Sequence, residues 1–179
     1  MTLLNFAKND LTAHAMKALC ICLQNKTALA KVLLDGNRIS AEGAMYLADG
    51  IRECAGLTHL HLSNCLIVSD GARALASAFQ NKKYLSVLDL NNCRIMADGM
   101  IAVAKELKPN TALTELYLSN NLIGPDGALA LAECLKNKKY IAELWLSMNN
   151  VLTQGALAIA EALKNKKYLE VLILKKNDI

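Results

Sequence analysis

Aromatic side chains are scarce in this chain: Phe, Tyr and Trp together make 4% of 179 residues, although 54% are hydrophobic. A core must therefore be built from Leu, Ile, Val and Ala. Long apolar runs are absent too, and without a stretch of about 18 such residues no helix spans a membrane. The N-terminus, MTLLNFAKND, lacks a basic segment followed by a long apolar one, so no secretory signal is visible. The net charge of +4 is too mild to argue nucleic-acid binding. There is no glycine-rich phosphate loop, no metalloprotease helix motif and no C-x-x-C pair. Nothing forces a Ser, a His and an Asp together. These absences argue against an enzyme, and no cofactor is expected.

What is present is a period. Leu29, Leu57, Leu85 and Leu113 are continued by Ile141 and Leu169, each step being 28 residues, and one step back lands on Met1. A fixed period of this size signals a solenoid whose units bury a shared core only by stacking. Residues 1–179 read as one domain of six 28-residue repeats plus the strand of a seventh.

The copy beginning at Leu113 shows the unit, opening L-x-x-L-x-L-x-x-N-x-I. Leu116 and Leu118 alternate with period two, which predicts a short strand with these side chains inward. The matching pairs are Leu4/Phe6, Val32/Leu34, Leu60/Leu62, Leu88/Leu90, Leu144/Leu146 and Leu172/Leu174. Strands separated by helices must lie parallel. The helix is marked by Ala128, Leu131, Ala132 and Leu135, at i, i+3, i+4, i+7, with Ala156/Ile159/Ala160/Leu163 in another copy. Gly43, Gly71, Gly99, Gly127 and Gly155 share one position, which calls for close backbone approach or for a conformation costly to other residues. Glu42, Asp70, Asp98 and Asp126 precede four of them, suiting the positive end of the helix dipole. Asn-Lys-Lys-Tyr follows three helices, at 81–84, 137–140 and 165–168, and predicts a lysine ridge along that rim.

One column after the strand reads Asn9, Asn37, Cys65, Cys93, Asn121, Asn149, Asn177. Buried Asn amides here would bond to stacked loop backbones, and Cys can replace them as a small group with a weak donor. Cys65 and Cys93 are thus structural and inward-facing. All six cysteines are expected as free thiols.

The L-x-x-L-x-L-x-x-(N/C)-x-I/L consensus with its 28-residue period and full helix resembles the ribonuclease-inhibitor type of leucine-rich repeat. That subclass includes ribonuclease inhibitor, the Ran GTPase-activating protein and the sensor domains of NOD-like receptors. Related repeats occur in secreted effectors of intracellular bacteria. The resemblance implies an α/β solenoid, a horseshoe with a parallel concave sheet and convex helices. The six free thiols expected above point to an intracellular, cytoplasmic setting, which for a secreted bacterial effector would be that of a host cell. The strict 28-residue period departs from the alternating 28 and 29 of ribonuclease inhibitor, and the family's terminal caps are missing. Uncapped ends point to a segment of a longer protein or to self-association.

In such a horseshoe the outward strand residues form rows. One row reads Asn5, Leu33, His61, Asp89, Tyr117, Trp145, Ile173, and beside it Glu115 neighbours Glu143. Tyr117, Trp145 and Ile173 form an apolar centre, and interface hot spots favour Trp and Tyr. Glu115 and Glu143 flank it, and Asp89 completes the candidate partner-binding set. The expected partner is a protein with a basic patch. His59, His61 and Asp89 share this face, yet a zinc site lacks its fourth ligand and no metal is expected. Ile101, Leu129 and Leu157 mark a second aliphatic patch, on the helices. The function expected is non-catalytic protein–protein recognition. The alternatives are a regulator acting on a small GTPase, with Arg38 and Arg94 in the strand-to-helix loops, and an enzyme inhibitor.

Overall fold

The computed structural model describes residues 1–179. Each repeat contributes one strand of three residues and one helix. The strands are β1 (Leu3–Asn5), β2 (Lys31–Leu33), β3 (His59–His61), β4 (Val87–Asp89), β5 (Glu115–Tyr117), β6 (Glu143–Trp145) and β7 (Val171–Ile173). They alternate with α1 (Ala13–Leu23), α2 (Ser40–Ile51), α3 (Val68–Phe79), α4 (Met96–Leu107), α5 (Gly124–Leu135) and α6 (Leu152–Leu163). The strands form one seven-stranded sheet in sequence order, every pair parallel. Equivalent residues of successive repeats face each other throughout, as Leu116 faces Leu88 and Leu144. No helix is long and apolar enough to cross a membrane.

Between sheet and helices lies a single cluster of 47 buried hydrophobic residues. Leu116, Leu118, Leu131 and Leu135 are all fully buried in it, as the two periodicities require. The pattern fails only at the ends. Phe6 is 39% and Leu172 40% exposed, because each belongs to a terminal coil with a neighbour on one side only. For the same reason Ala160 of α6 is exposed and Ala156 half-buried, although both stand at inward positions.

The glycine column is a matter of space. A Cβ on Gly71 would stand 3.0 Å from Ala44 Cβ and 2.9 Å from Ile67 Cγ2, and one on Gly155 only 2.7 Å from Ala128 Cβ. Adjacent helices therefore pack through glycine against alanine, which keeps the helix spacing compatible with a sheet whose strands lie about 4.8 Å apart.

Two columns of polar groups hold the loop backbones. Asn121 Oδ1 accepts from the N–H groups of Cys93 (3.0 Å) and Ile95 (3.3 Å) of the preceding coil, and its Nδ2 donates to Leu90 O (2.7 Å) and Leu118 O (2.9 Å). Asn37, Asn149 and Asn177 repeat the arrangement. Cys65 and Cys93 take over part of it, each donating S–H to the preceding coil, to Leu34 O at 3.3 Å and Leu62 O at 3.0 Å. All six thiols are free. Burial pushes the Cys65 thiol up to about 11 and raises that of Cys93 as well, so neither is a thiolate at neutral pH.

The second column corrects the expected lysine ridge. Lys82 and Lys138, the first lysines of their Lys-Lys pairs, are buried. Lys138 Nζ donates to Leu107 O (2.7 Å), Asn110 O (2.5 Å) and Lys108 O (3.3 Å), and Lys82 Nζ donates to Arg52 O (2.7 Å). They cap the carbonyl end of the preceding helix, where orphan acceptors and the negative end of the dipole favour a cation. Desolvation lowers the ammonium pKa of both. Asn110 and Cys54 occupy the same column and also bond backward, Asn110 Nδ2 to Lys82 O at 2.8 Å. The second lysines, Lys83, Lys139 and Lys167, are exposed on the rim with Lys108, Lys136 and Lys164, and Lys166 is half-buried, so the ridge is kept without Lys82 and Lys138.

The turn out of each strand needs a left-handed residue. Asn64, Asn92 and Asn120 supply it at φ of 56, 55 and 58°, and Gly36 at 66°. Met148 adopts φ 58° at this position while 43% exposed. A long unbranched side chain there carries strain that Asn tolerates better.

Two stability predictions follow from these columns. Lys138→Met should lower unfolding stability by about 2–3 kcal/mol, since it strands buried carbonyls, whereas Lys139→Met should change it by less than about 0.5 kcal/mol. Equal urea midpoints for the two variants would show that the buried cap contributes nothing. Met148→Asn should raise the midpoint, by about 0.5–1 kcal/mol in stability; a lowered midpoint would mean the methionine is held by packing.

Candidate functional site

Because side chains alternate along a strand, the residues flanking the buried leucines stand on the outer face of the sheet. The register sets Tyr117 opposite Trp145 and Trp145 opposite Ile173, with Glu115 opposite Glu143. Tyr117 and Trp145 meet edge to face, ring centroids 5.3 Å apart and planes at 78°. Trp145 is 38% exposed, and Tyr117 and Ile173 are half-buried. The face thus carries a continuous apolar centre across three strands.

The spacing alone did not show that the tyrosine hydroxyl ties the acids to this centre. Tyr117 Oη donates to Glu115 Oε2 at 2.8 Å and to Glu143 Oε2 at 3.1 Å. One phenolic proton serves one acceptor at a time. The second carboxylate therefore keeps free acceptor capacity, and no lysine or arginine of the chain pairs with either acid. The arrangement presents negative charge beside two aromatic rings, which suits a cationic side chain.

Asp89 lies next to Tyr117 in the register, but its side chain belongs to a different group. Its Oδ1 accepts from the Asn91 N–H at 2.9 Å, and the carboxylate converges with Asp35 and His61. Burial raises its carboxyl pKa, with Asp35 adding to the shift. His59 stands apart, its Nδ1 paired with Thr58 Oγ1 at 2.8 Å. Ile101 and Leu157 are exposed on the helices, and Leu129 between them is half-buried. Arg38 pairs with Asp10 at 3.4 Å, and Arg94 lies two coils further on without an ion pair.

A rim of exposed aliphatics was missed. Leu66, Met96, Leu122, Met148 and Leu152 line the strand-to-helix turns of four successive repeats. Between Leu66 and Leu122 runs a groove of about 630 Å³, with Arg94 and Met96 in its wall. In the sequence these residues fall at loop positions that carry no periodic signal; only their size, where Gly36 and Gly124 stand in other coils, marks them.

Comparison with known proteins places this geometry in context. A family model described as Leucine Rich repeat matches residues 54–76, 81–104 and 110–132. No curated protein sequence matches the chain. Among solved structures, the chain is similar to "Leiomodin-1 Actin-Binding Site 2 (ABS2)", with 24% identity over 75% of this chain and 81% of that one and a TM-score of 0.61. That likeness is one of fold. The chain therefore carries leucine-rich repeats arranged as a solenoid of alternating strands and helices.

The hydrogen-bonded phenol makes a pH prediction. Desolvation, then the two carboxylates, hold the Tyr117 phenol above its ordinary range. A raised folded-state pKa means that this stabilisation is complete below the unfolded value of about 10 and is lost as the pH rises through the folded one. In an ultraviolet titration of the five tyrosines, one should ionise after the rest, and Tyr117→Phe should remove that late component. A late component that persists in Tyr117→Phe would place it elsewhere.

Proposed function

We propose that this chain is a non-catalytic recognition scaffold, built of ribonuclease-inhibitor-type repeats as a single domain. It binds a partner protein on the concave strand face. The observation that carries the reading is the Tyr117–Trp145–Ile173 centre flanked by Glu115 and Glu143. These groups stand on the outer face of the sheet, and the negative charge of the two acids has no intramolecular counter-ion. Such a patch matches the makeup of an interface hot spot, an aromatic anchor within a polar rim. The partner surface it fits is basic, with lysine or arginine opposite the two carboxylates. Leucine-rich repeats commonly serve as protein-binding scaffolds, which favours a protein partner; the structural neighbour is an actin-binding site, but at 24% identity that likeness is one of fold and does not point to actin. The GTPase-regulator reading finds less support, because Arg38 is separated from Arg94 by a whole coil. A turnover assay against a panel of small GTPases separates the two readings.

Trp145→Ala should leave unfolding cooperative, and should weaken binding to an identified partner by about 2 kcal/mol or more. Glu115→Lys with Glu143→Lys should mainly slow association and reduce its salt dependence. If Trp145→Ala and Tyr117→Ala together leave affinity unchanged while Leu122→Ser or Ile101→Ser abolishes it, the site is on the rim or the helices instead.

A further inference from the structure

Three side chains outside the aromatic patch converge on the sheet face. Asp35, His61 and Asp89 come from three successive coils, and one ligand-type atom of each lies within 4.8 Å of the others. The topology dictates this meeting. His61 stands opposite Asp89 in the β3–β4 register. Asp35 follows β2 at the position that reaches across to Ser63 of the next coil. We propose that these residues form a binding site for a divalent transition-metal cation, zinc foremost, with one imidazole and two carboxylates as ligands and the remaining coordination open on the sheet face.

The donor set is the first argument. Imidazole nitrogen with carboxylate oxygen suits zinc and its neighbours, and three protein ligands leave room for water or for a partner's donor. The anchoring is the second. Asp35 Oδ1 accepts from Ser63 N–H at 2.9 Å and from Ser63 Oγ–H at 3.0 Å, and Asp89 Oδ1 accepts from Asn91 N–H at 2.9 Å. Each carboxylate is thus fixed through one oxygen, while neither Oδ2 accepts a hydrogen bond. Outer hydrogen bonds of this kind orient metal ligands. His61 is less fixed: its ring lies nearly parallel to that of His59, with centroids 6.4 Å apart and planes at 11°, and its nitrogens have no hydrogen-bond partner.

Charge is the third argument. No lysine or arginine forms an ion pair with Asp35 or Asp89. Two uncompensated carboxylates held together repel unless one takes a proton or a cation joins them, and a divalent cation relieves both at once. Atoms within 4.8 Å of one another leave a point within about 2.8 Å of all three, so small side-chain rotations reach the zinc bond lengths of about 2.0–2.2 Å. His59, which the sequence pattern had grouped with His61 and Asp89, is replaced by Asp35, a residue from the preceding coil.

The test uses the full chain carrying Cys22→Ser, which removes the one exposed thiol that would compete for zinc. Zn²⁺ binding is followed by isothermal titration, and Co²⁺ binding by its visible absorption. One Zn²⁺ per chain is expected, displacing bound Co²⁺ and abolishing its visible bands, with a rise in thermal midpoint. His61→Ala and Asp89→Asn should each weaken binding by about 10-fold or more. His59→Ala and Trp145→Ala should leave it unchanged, the latter separating this site from the partner-binding reading. All four residues stand on the outer face, and circular dichroism verifies folding. The proposal is overturned if Zn²⁺ shows no saturable binding, if binding survives His61→Ala combined with Asp89→Asn, or if His59→Ala alone abolishes it.

Discussion

The asparagine column is the constraint on which the rest depends. Strands of three residues leave most of each repeat's backbone outside the sheet, and much of that backbone is buried. Every buried N–H and C=O needs a partner. A ladder this short cannot supply them, so one side chain per coil does, donating within its own coil and bonding to the preceding one. Asn suits the task because its amide offers an acceptor and a two-proton donor together. Once the column is satisfied, each coil is locked to the next in one register, and every other column is forced into line behind it.

Cys65 and Cys93 show what the column tolerates. Each keeps the donor half, to Leu34 O and Leu62 O. The acceptor half falls to sulfur, a weak acceptor. Two such coils in succession are carried by a stack whose other members are complete, as expected when stability is a sum of neighbour terms. The buried lysines solve the matching problem at the other end of the helix. Lys138 serves three carbonyls with one ammonium, at the cost of desolvating a charge. Asn110 meets the same need without a charge, and Cys54 meets it more weakly. Alternation among Lys, Asn and Cys in one column follows from a shared requirement, a donor aimed backward at a helix end.

Most of the architecture was legible because period, strand alternation and helix spacing all coincide in a solenoid. The seven parallel strands, the six helices and the asparagine column can be read from the repeat starting at Leu113 once its 28-residue period is extended along the chain. What escaped was whatever depends on side-chain reach. Lys138 and Lys139 look alike in a sequence; one is buried and the other exposed because two neighbouring residues at a helix exit face opposite ways. The outer rows were legible as rows, so Tyr117 and Trp145 were placed side by side. The bond from the Tyr117 hydroxyl to both glutamates was not, because it depends on a rotamer. The grouping of Asp89 with Asp35 was not, because Asp35 lies beyond the end of β2 and reaches the site only through its anchoring to Ser63 of the next coil.

A repeat fold of this kind separates stability from recognition in a way a globular core does not. The inward leucines, the glycines and the two polar columns have no freedom, since each contacts the coil before and the coil after. The outward strand positions contact only one another across the face, as Tyr117 does Glu115 and Glu143, so the core leaves their chemistry free to vary. That is why His61, Asp89, Tyr117, Trp145 and Ile173 follow one another along a single row of an otherwise regular sheet. The strand-to-helix turns sit between these regimes. Their backbone demands positive φ, which favours Asn and Gly, yet Met96, Leu122, Met148 and Leu152 hold it with large, exposed aliphatic side chains. Neither backbone nor core calls for an aliphatic at those places. The rim aliphatics therefore differ from the inward columns, which are placed by packing on the coil before and the coil after.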